Sequence, residues 1–535
     1  MPGSRENVDG TRSPGGDRPG ARRDGGDTMK DLDRTAIGLD AVWWARRGES
    51  PEEVSSRVEL PRSATVVVVG AGLTGMSTAV RLAQQGIEPL VIEARRVGSG
   101  TSGRTNAKVS LLQGSLVQGI RRAAGAEAAS AYVTANREGQ AWLLELAQAR
   151  GVEVQTHTAV TYAVTPSGER KVRDELSAVQ AAGLDAQPLV EHDLPFAVRS
   201  AISLEDQAQV DPLALVRALR EELESLGGRV VEGVRVTGLN WRRPWRLETE
   251  AGAVRCERVV LATQTPILDR TLDFARLTGE RSYVLAYEAD LSRVPHSMSL
   301  SLDKRTRSLR TAPATAAGES DLLLVGGNGH TVGARISTRA CIDDLDQWAR
   351  EYLEVGELRW AWSAQDYRAA GAMPRIGPVP GTDEALFVAT GYNKWGLTNA
   401  PAAAHIITAD IMGSPLPYAG AFRGNTSSIR GVADAAKHNA RVAAHLAGDR
   451  ARLALPKDIA HGEGRVTGNP LTPTAVAEVD RGRCAVSAVC THLGGVLSWN
   501  DAEQTWDCPL HASRFTMEGA VIEGPATRPL GRREE

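Results

Sequence analysis

Cysteine is scarce in this chain, with five residues in 535, far too few for a disulfide framework. No charge of one sign prevails. The net charge of -3 and the pI of about 6.4 offer no basic surface for nucleic acid or an anionic membrane. No apolar run approaches the roughly 18 residues a membrane helix needs. Residues 1–35 are rich in Gly, Arg and Asp and lack an apolar core, so they read as a disordered tail. A signal peptide would need an apolar stretch after its arginines, and none is present. A cytoplasmic protein is expected, without membrane or nucleic-acid partners. The length leaves room for two or three cores at about 150 residues per domain.

Three of the cysteines read as isolated thiols. Cys256 opens an apolar strand (CERVVLAT), Cys341 starts an acidic helical stretch, and Cys484 sits just before an expected strand. Cys490 and Cys508 carry a pattern: C-x-H, fifteen residues, then C-x-x-H. Two tight loops, each with one thiolate and one imidazole, suit a [2Fe–2S] centre. One iron would be held by Cys490 and Cys508 and the other by His492 and His511. Neutral imidazole in place of thiolate removes negative charge and raises the reduction potential. Zinc also accepts two Cys and two His, but its usual spacing pairs Cys with Cys and His with His.

This stretch resembles the Rieske family over roughly residues 455–535. High-potential members carry one further Cys in each loop, and the two form a bridge. Here those positions are Gly495 and Leu510, so both partners are missing together, as suits a reducing compartment. The resemblance also implies that Ser513 donates to a cluster sulfide. Phe515 lacks the hydroxyl a Tyr would add there, and fewer donors imply a lower potential than the respiratory-chain type.

Toward the N-terminus, Ala64–Gly70 is a β-branched apolar run read as a buried parallel strand. Gly70, Gly72 and Gly75 follow as G-x-G-x-x-G, then a helical pattern from Leu73 to Gln85, then a second strand ending at Glu93. In that context the glycines allow a tight turn and close approach of a pyrophosphate, and Glu93 can accept from a ribose hydroxyl. Both NAD and FAD use this fingerprint. Three further segments favour FAD: GSGTSGRTNAK (98–108), VVLATQTPI (259–267) and LFVATGYNKWGLTN (386–399), the last leading into an apolar helix expected from about Ala402 to Met412.

These segments resemble the D-amino-acid oxidase-like family of FAD oxidoreductases, which includes glycine and sarcosine oxidases. They look most like its branch with a C-terminal Rieske domain. The resemblance implies a discontinuous α/β FAD-binding Rossmann-type domain (62–130, 200–275, 365–420) with an inserted antiparallel-sheet substrate domain (131–199, 276–364), together spanning 36–420. A helical connector (421–454) and an all-β Rieske domain (455–535) complete it. Strands at Ser282–Ala289 and Asp321–Gly327 are expected to floor the substrate cavity. The segment EGVRV (232–236) looks like the family strand that contacts adenine. Expected FAD contacts are Gly70, Gly72, Gly75, Glu93, Ser102, Thr105, Val236, Thr263, Gly391, Gly396 and Thr398. Lys394, Trp395 and Lys108 are the expected catalytic residues, with Tyr283, Tyr287, Asp366, Tyr367 and Arg375 as weaker candidates. Arg104 stands where the family often has His, and Pro401 where it has a small residue.

Function follows from the two centres. A C–N bond of a small amine or amino acid would be oxidised at FAD, with electrons leaving through the cluster to an external acceptor protein. The reverse flow, from an external donor through the cluster to flavin and substrate, is chemically open. A pyridine-nucleotide reductase would need a second dinucleotide fingerprint, and GGNGHTVG (326–333) lacks the spacing. A ring-hydroxylating oxygenase would need a downstream iron triad, yet the 24 residues after His511 contain no His.

Overall fold

The computed structural model describes residues 41–51, 59–240, 245–268, 273–334, 336–424, 459–480 and 482–533. The expected tail and all but the first four residues of the expected connector lie outside them. The run Ser63–Val69 is the strand its β-branched residues predict, with its last four residues buried. It pairs in parallel with Leu90–Ile92 on one side and Gly252–Leu261 on the other. Leu386–Thr390 and Arg229–Val231 extend the sheet in parallel, Arg375–Pro378 closes one edge antiparallel, and the hairpin Val236–Asn240/Trp245–Thr249 is attached to Gly252–Leu261. Helix Leu73–Gln84 packs over this sheet against helix Gly396–Ile411. The latter starts six residues earlier than expected and accommodates Pro401 in its interior.

A Cβ on Gly75 would lie 1.8 Å from the Gly70 carbonyl oxygen. Only glycine lets the helix start this close to the strand's end.

The second sheet has nine strands, in the order Leu358–Ala369, Leu277–Glu288, Leu322–Thr331, Arg307–Ala312, Met298–Ser301, Val154–Ala163, Ser200–Val210 and Lys108–Val109, with Gln187–Pro188 added to Ser200–Val210. It departs from expectation in two ways. Met298–Ser301 runs parallel to Val154–Ala163, so the sheet is mixed rather than antiparallel throughout. Its membership also crosses the expected boundaries. Ser200–Val210 and Lys108–Val109 belong here rather than to the dinucleotide sheet, and Leu358–Ala369 runs through the expected break at 364/365. Backbone pairing over Val154–Val210 decides this, and no local pattern announces it. After Ser200–Val210 the chain returns through helix Pro212–Ser225. Asp211 caps that helix by accepting from the amides of Leu213 (2.8 Å) and Ala214 (3.1 Å), with Pro212 at its first position.

The C-terminal part is all-β. It has a three-stranded sheet (Gly464–Asn469, Thr472–Val479, Gly482–Ser487) and a four-stranded one (Ser498–Asn500, Thr505–Asp507, Arg514–Thr516, Val521–Glu523) around its own apolar core. Cys484 lies within a strand rather than ahead of one. Among the described residues no helix is long and apolar enough to cross a membrane.

Candidate functional site: a dinucleotide cavity under an iron–sulfur domain

The two C-terminal cluster loops share one construction. In the first, the Cys490 amide donates to Gly495 O (2.8 Å) and the Gly494 amide to Cys490 O (3.0 Å). In the second, the Cys508 amide donates to Ser513 O (2.8 Å) and the Ala512 amide to Cys508 O (3.0 Å). Both cysteines are buried, and their thiols interact directly. The bond to Cys508 pulls the Cys490 thiol down to about 7, while Cys508 is pushed up by the same contact and by burial. The His492 and His511 rings stand 5.2 Å apart, nearly perpendicular, and burial lowers His492 to about 4, keeping its imidazole neutral. Among the described residues no three His, Cys, Asp or Glu side chains surround a single metal position. The donors instead form a thiol pair and an imidazole pair, which fits one iron of a [2Fe–2S] cluster each.

Where related clusters carry a bridge, a Cβ on Gly495 would come within 2.6 Å of Leu510 Cγ and 3.0 Å of Cys508 Sγ. The leucine fills that space. Ser513 is fully buried and hydrogen-bonded toward Cys490, and Phe515 is fully buried beside it in the core.

This domain sits directly against the nine-stranded sheet. Arg281 of the nine-stranded sheet, fully buried, pairs with Asp507 through both oxygens and donates to Gln365 Oε1 at 3.0 Å. Glu503 accepts from Ser363 Oγ (2.8 and 2.9 Å) and pairs with Arg514 at 2.7 Å. Burial alone would raise the Glu503 carboxyl, but Arg514 and Arg281 outweigh it and hold it at about 2. Asp501 caps helix Thr338–Tyr352, accepting from the Thr338 amide (2.7 Å) and Ser337 Oγ (2.6 Å). Phe274 packs edge-on against both His511 (4.7 Å) and His492 (5.7 Å). The loop carrying Cys508 and His511 fits because Gly333 has no side chain, since a Cβ there would lie 2.4 Å from Pro509 Cα.

Beneath it lies a cavity of about 540 Å³ between the two large sheets, within the usual range for cofactor sites. One end is the glycine turn. Gly70, Gly72 and Leu73 line it, the Leu73 amide is held by Ser102 Oγ (2.8 Å), and the helix N-terminus opens into the space, as an anionic pyrophosphate requires. Glu93 lines the same end, fixed by the amides of Ala71 (2.8 Å) and Arg95 (2.9 Å). Its remaining lone pairs can still receive a ribose hydroxyl. Thr105, Val236, Thr263, Gly391 and Gly396 also line the cavity. Of EGVRV only Val236 is in a strand; in the irregular stretch before it the Gly233 and Val234 amides donate to Arg95 O and Glu93 O (2.9 Å each).

Two expected contacts fall elsewhere. Gly75 acts by packing against Gly70, outside the cavity lining. Thr398 is buried just behind the lining, where it accepts from Gln113 Nε2 (2.8 Å), and Gln113 is the residue that faces the cavity. The turn, the open helix end and the acid at the strand terminus together fit FAD.

The other end of the cavity is walled by the nine-stranded sheet, with Ser282, Tyr283, Gly326 and Gly327 in its lining, as the two predicted strands imply. Lys108, Lys394 and Trp395 all line it, but both ammonium groups are engaged. Lys108 Nζ donates to Ser299 O (2.7 Å) and Ser308 Oγ (2.8 Å), and burial drives its pKa well below the ordinary lysine value. Lys394 Nζ donates to Ser282 Oγ (2.9 Å) and faces Glu280 at 3.2 Å. Tyr283 OH meets His330 Nε2 at 2.9 Å. Tyr367 lines the cavity while its hydroxyl donates to the His511 carbonyl at 3.0 Å. Tyr287, bonded to Asp346, and Arg375, beside Asp273, lie outside the lining.

Asp366, half-buried in the wall, accepts from the Lys394 amide, and burial pushes its carboxyl up to about 6. A carboxyl with a raised folded pKa stabilises the fold below its unfolded value and loses that contribution as pH rises through about 6. Asp366→Asn is therefore expected to melt close to the parent protein at pH 4 and above it at pH 7. A difference in melting temperature independent of pH would refute this.

Phe274, Arg281 and Asp501 were invisible to sequence reasoning, because each acts through a partner more than 160 residues away.

Fold and site together define a flavin-dependent oxidoreductase carrying a Rieske domain. The family model for FAD dependent oxidoreductases matches residues 65–410, and that for the Rieske [2Fe-2S] domain matches 451–532. The chain belongs to the FAD-dependent oxidoreductase family, binds FAD and holds a [2Fe–2S] cluster in its Rieske domain. It is 30% identical over 475 residues to the putative Rieske 2Fe-2S iron-sulfur protein YhfW of Bacillus subtilis, covering 87% of this chain and 92% of that one. A 61-residue stretch is 46% identical to the cytochrome b6-f complex iron-sulfur subunit of a Synechococcus strain, covering 11% of this chain and 35% of the subunit. The fold is shared with L-proline dehydrogenase from P. horikoshii (TM-score 0.57, 16% identity, 67% of this chain and 96% of that one). It is also shared with glycine oxidase from Geobacillus kaustophilus (TM-score 0.54, 17% identity, 67% and 96%).

Proposed function

We propose that the chain oxidises a C–N bond of a small amine or amino acid and passes the electrons to an external acceptor protein by way of the cluster. Bound FAD supplies a two-electron acceptor and the Rieske centre a one-electron outlet. The observation that carries this reading is Tyr367, which lines the cavity and bonds the carbonyl of the cluster ligand His511. One side chain thus spans the space between the two sites. The substrate class is supported by the cavity's mixed wall. It combines apolar surface from Leu300, Val284 and Trp395 with hydrogen-bonding groups from Ser282, Asp366 and Lys394. The proteins sharing the fold include a proline dehydrogenase, glycine oxidases and L-amino acid deaminases, and all of these act on amino acids.

The chain's own contribution is to bind, orient and exclude water. The nine-stranded sheet covers the reacting end of the cavity, and Asp366 holds a titratable proton in its wall.

His511→Ala tests the reading. Anaerobic bleaching of the flavin by a screen of amines, N-methyl amines and amino acids is expected to persist. Turnover with a one-electron acceptor should collapse to baseline. Acceptor turnover at the parent rate would refute the cluster outlet. Flavin that bleaches with none of these compounds would refute the substrate class.

A further inference from the structure

Part of the cavity wall comes from the Rieske domain. Its last described strand, Val521–Glu523, and the turn beyond it place Ile522, Glu523, Gly524 and Thr527 in the lining. Arg235 Nη2 holds this segment by donating to Val521 O at 3.1 Å. Glu523 is only 8% exposed, and neither of its carboxylate oxygens has a hydrogen-bond partner. From the oxidoreductase part, Arg104 lines the same cavity at 1% exposure, and its Nε and Nη2 also lack partners. Burial lowers the Arg104 pKa to about 10, and the nearby charge of Glu523 partly offsets that effect. Opposite charges lie close, yet neither satisfies the other's hydrogen bonds. Folded proteins leave very few buried charged atoms unsatisfied, because each costs most of its hydration without return. Two such groups facing one cavity indicate a ligand that supplies the missing partners.

FAD offers both kinds of partner. Its sugar hydroxyls and flavin N–H donate, and its pyrophosphate and carbonyl oxygens accept. We propose that the Rieske domain supplies part of the FAD site: Glu523 accepts hydrogen bonds from the cofactor's hydroxyl or N–H groups, and Arg104 donates to one of its oxygens. The dinucleotide site is then complete only when the two domains are docked. This conclusion stands apart from the direction of electron flow and from the identity of the substrate.

The test uses the full chain with FAD and cluster bound. In Glu523→Gln, FAD release on dilution, followed by the rise in flavin fluorescence, is expected to accelerate about tenfold. Cluster absorbance should be unchanged. Arg104→Gln, on the other domain, should do the same.

Thermal melting separates this from a structural role. The stabilisation that the FAD-stripped full chain gains on adding FAD should shrink. A purely structural Glu523 would lower both melting temperatures and leave the FAD-induced shift intact. Unchanged FAD release in both variants would overturn the proposal. So would loss of FAD only in proportion to loss of cluster.

Discussion

Arg281→Met is expected to weaken the seating of the Rieske domain by about 3–5 kcal/mol, the usual consequence of removing one partner from a fully buried ion pair. The charge left behind is the reason. Asp507 sits 3% exposed, with Arg281 as its bidentate partner and Arg514 at 3.8 Å. Glu503 loses a second counter-charge at 4.0 Å. Urea unfolding followed through cluster absorbance should show an earlier transition for the C-terminal domain, while flavin absorbance reports the rest. Removing both charges, in Arg281→Met with Asp507→Leu, should recover most of the loss. The remaining Arg514–Glu503 pair is balanced, and apolar replacements of a buried pair are often neutral or better. A single variant within about 1 kcal/mol of the parent would show that water reaches the network and that burial does not set its energy.

Gly75→Ala is expected to be nearly as severe, but at the other end of the cavity. One methyl group would sit 1.8 Å from a backbone oxygen. No rotamer change relieves that, so the helix must move away from the strand. The shift tilts the helix N-terminus out of line with the pyrophosphate, and FAD affinity should fall by about a hundredfold, the upper end of the usual 1–3 kcal/mol of a core overpacked by one methylene. Gly420→Ala, where nothing lies within 4 Å of the added methyl, serves as the control and should bind FAD as the parent does. Equal FAD affinity in both variants would refute the packing argument.

What could be read beforehand, and what could not, divides by range. The strand Ser63–Val69, its glycine turn and the acid at 93 lie within thirty-one residues of one another, and their chemistry is local. A β-branched run can only be a strand here, and a helix start beside it can only be approached by glycine. The cluster ligands were equally legible, because both halves of the site are short loops with fixed spacing. Sheet membership was not. Ser200–Val210 looks the same to a local reading whichever sheet it joins, and its pairing with Val154–Ala163 is decided by backbone partners across a helix. Lys108 and Lys394 were expected in the site from the glycine-flanked loops that carry them, and both line the cavity. Their ammonium groups turn out to be held by Ser299, Ser308, Ser282 and Glu280, a matter of partners that spacing does not encode. The interface was least legible of all. Arg281 and Asp507 are 226 residues apart, and either alone reads as an ordinary surface charge.

That interface has a consequence for movement. A domain that carries electrons by swinging between two stations must release its first station at little cost. Here release would uncover Arg281, Asp507, Glu503 and Arg514 together and strip Phe274 from the two imidazoles. The span from the cavity through Tyr367 to His511 is therefore a fixed length of the folded chain, and under the proposed function the acceptor protein would have to travel to the cluster.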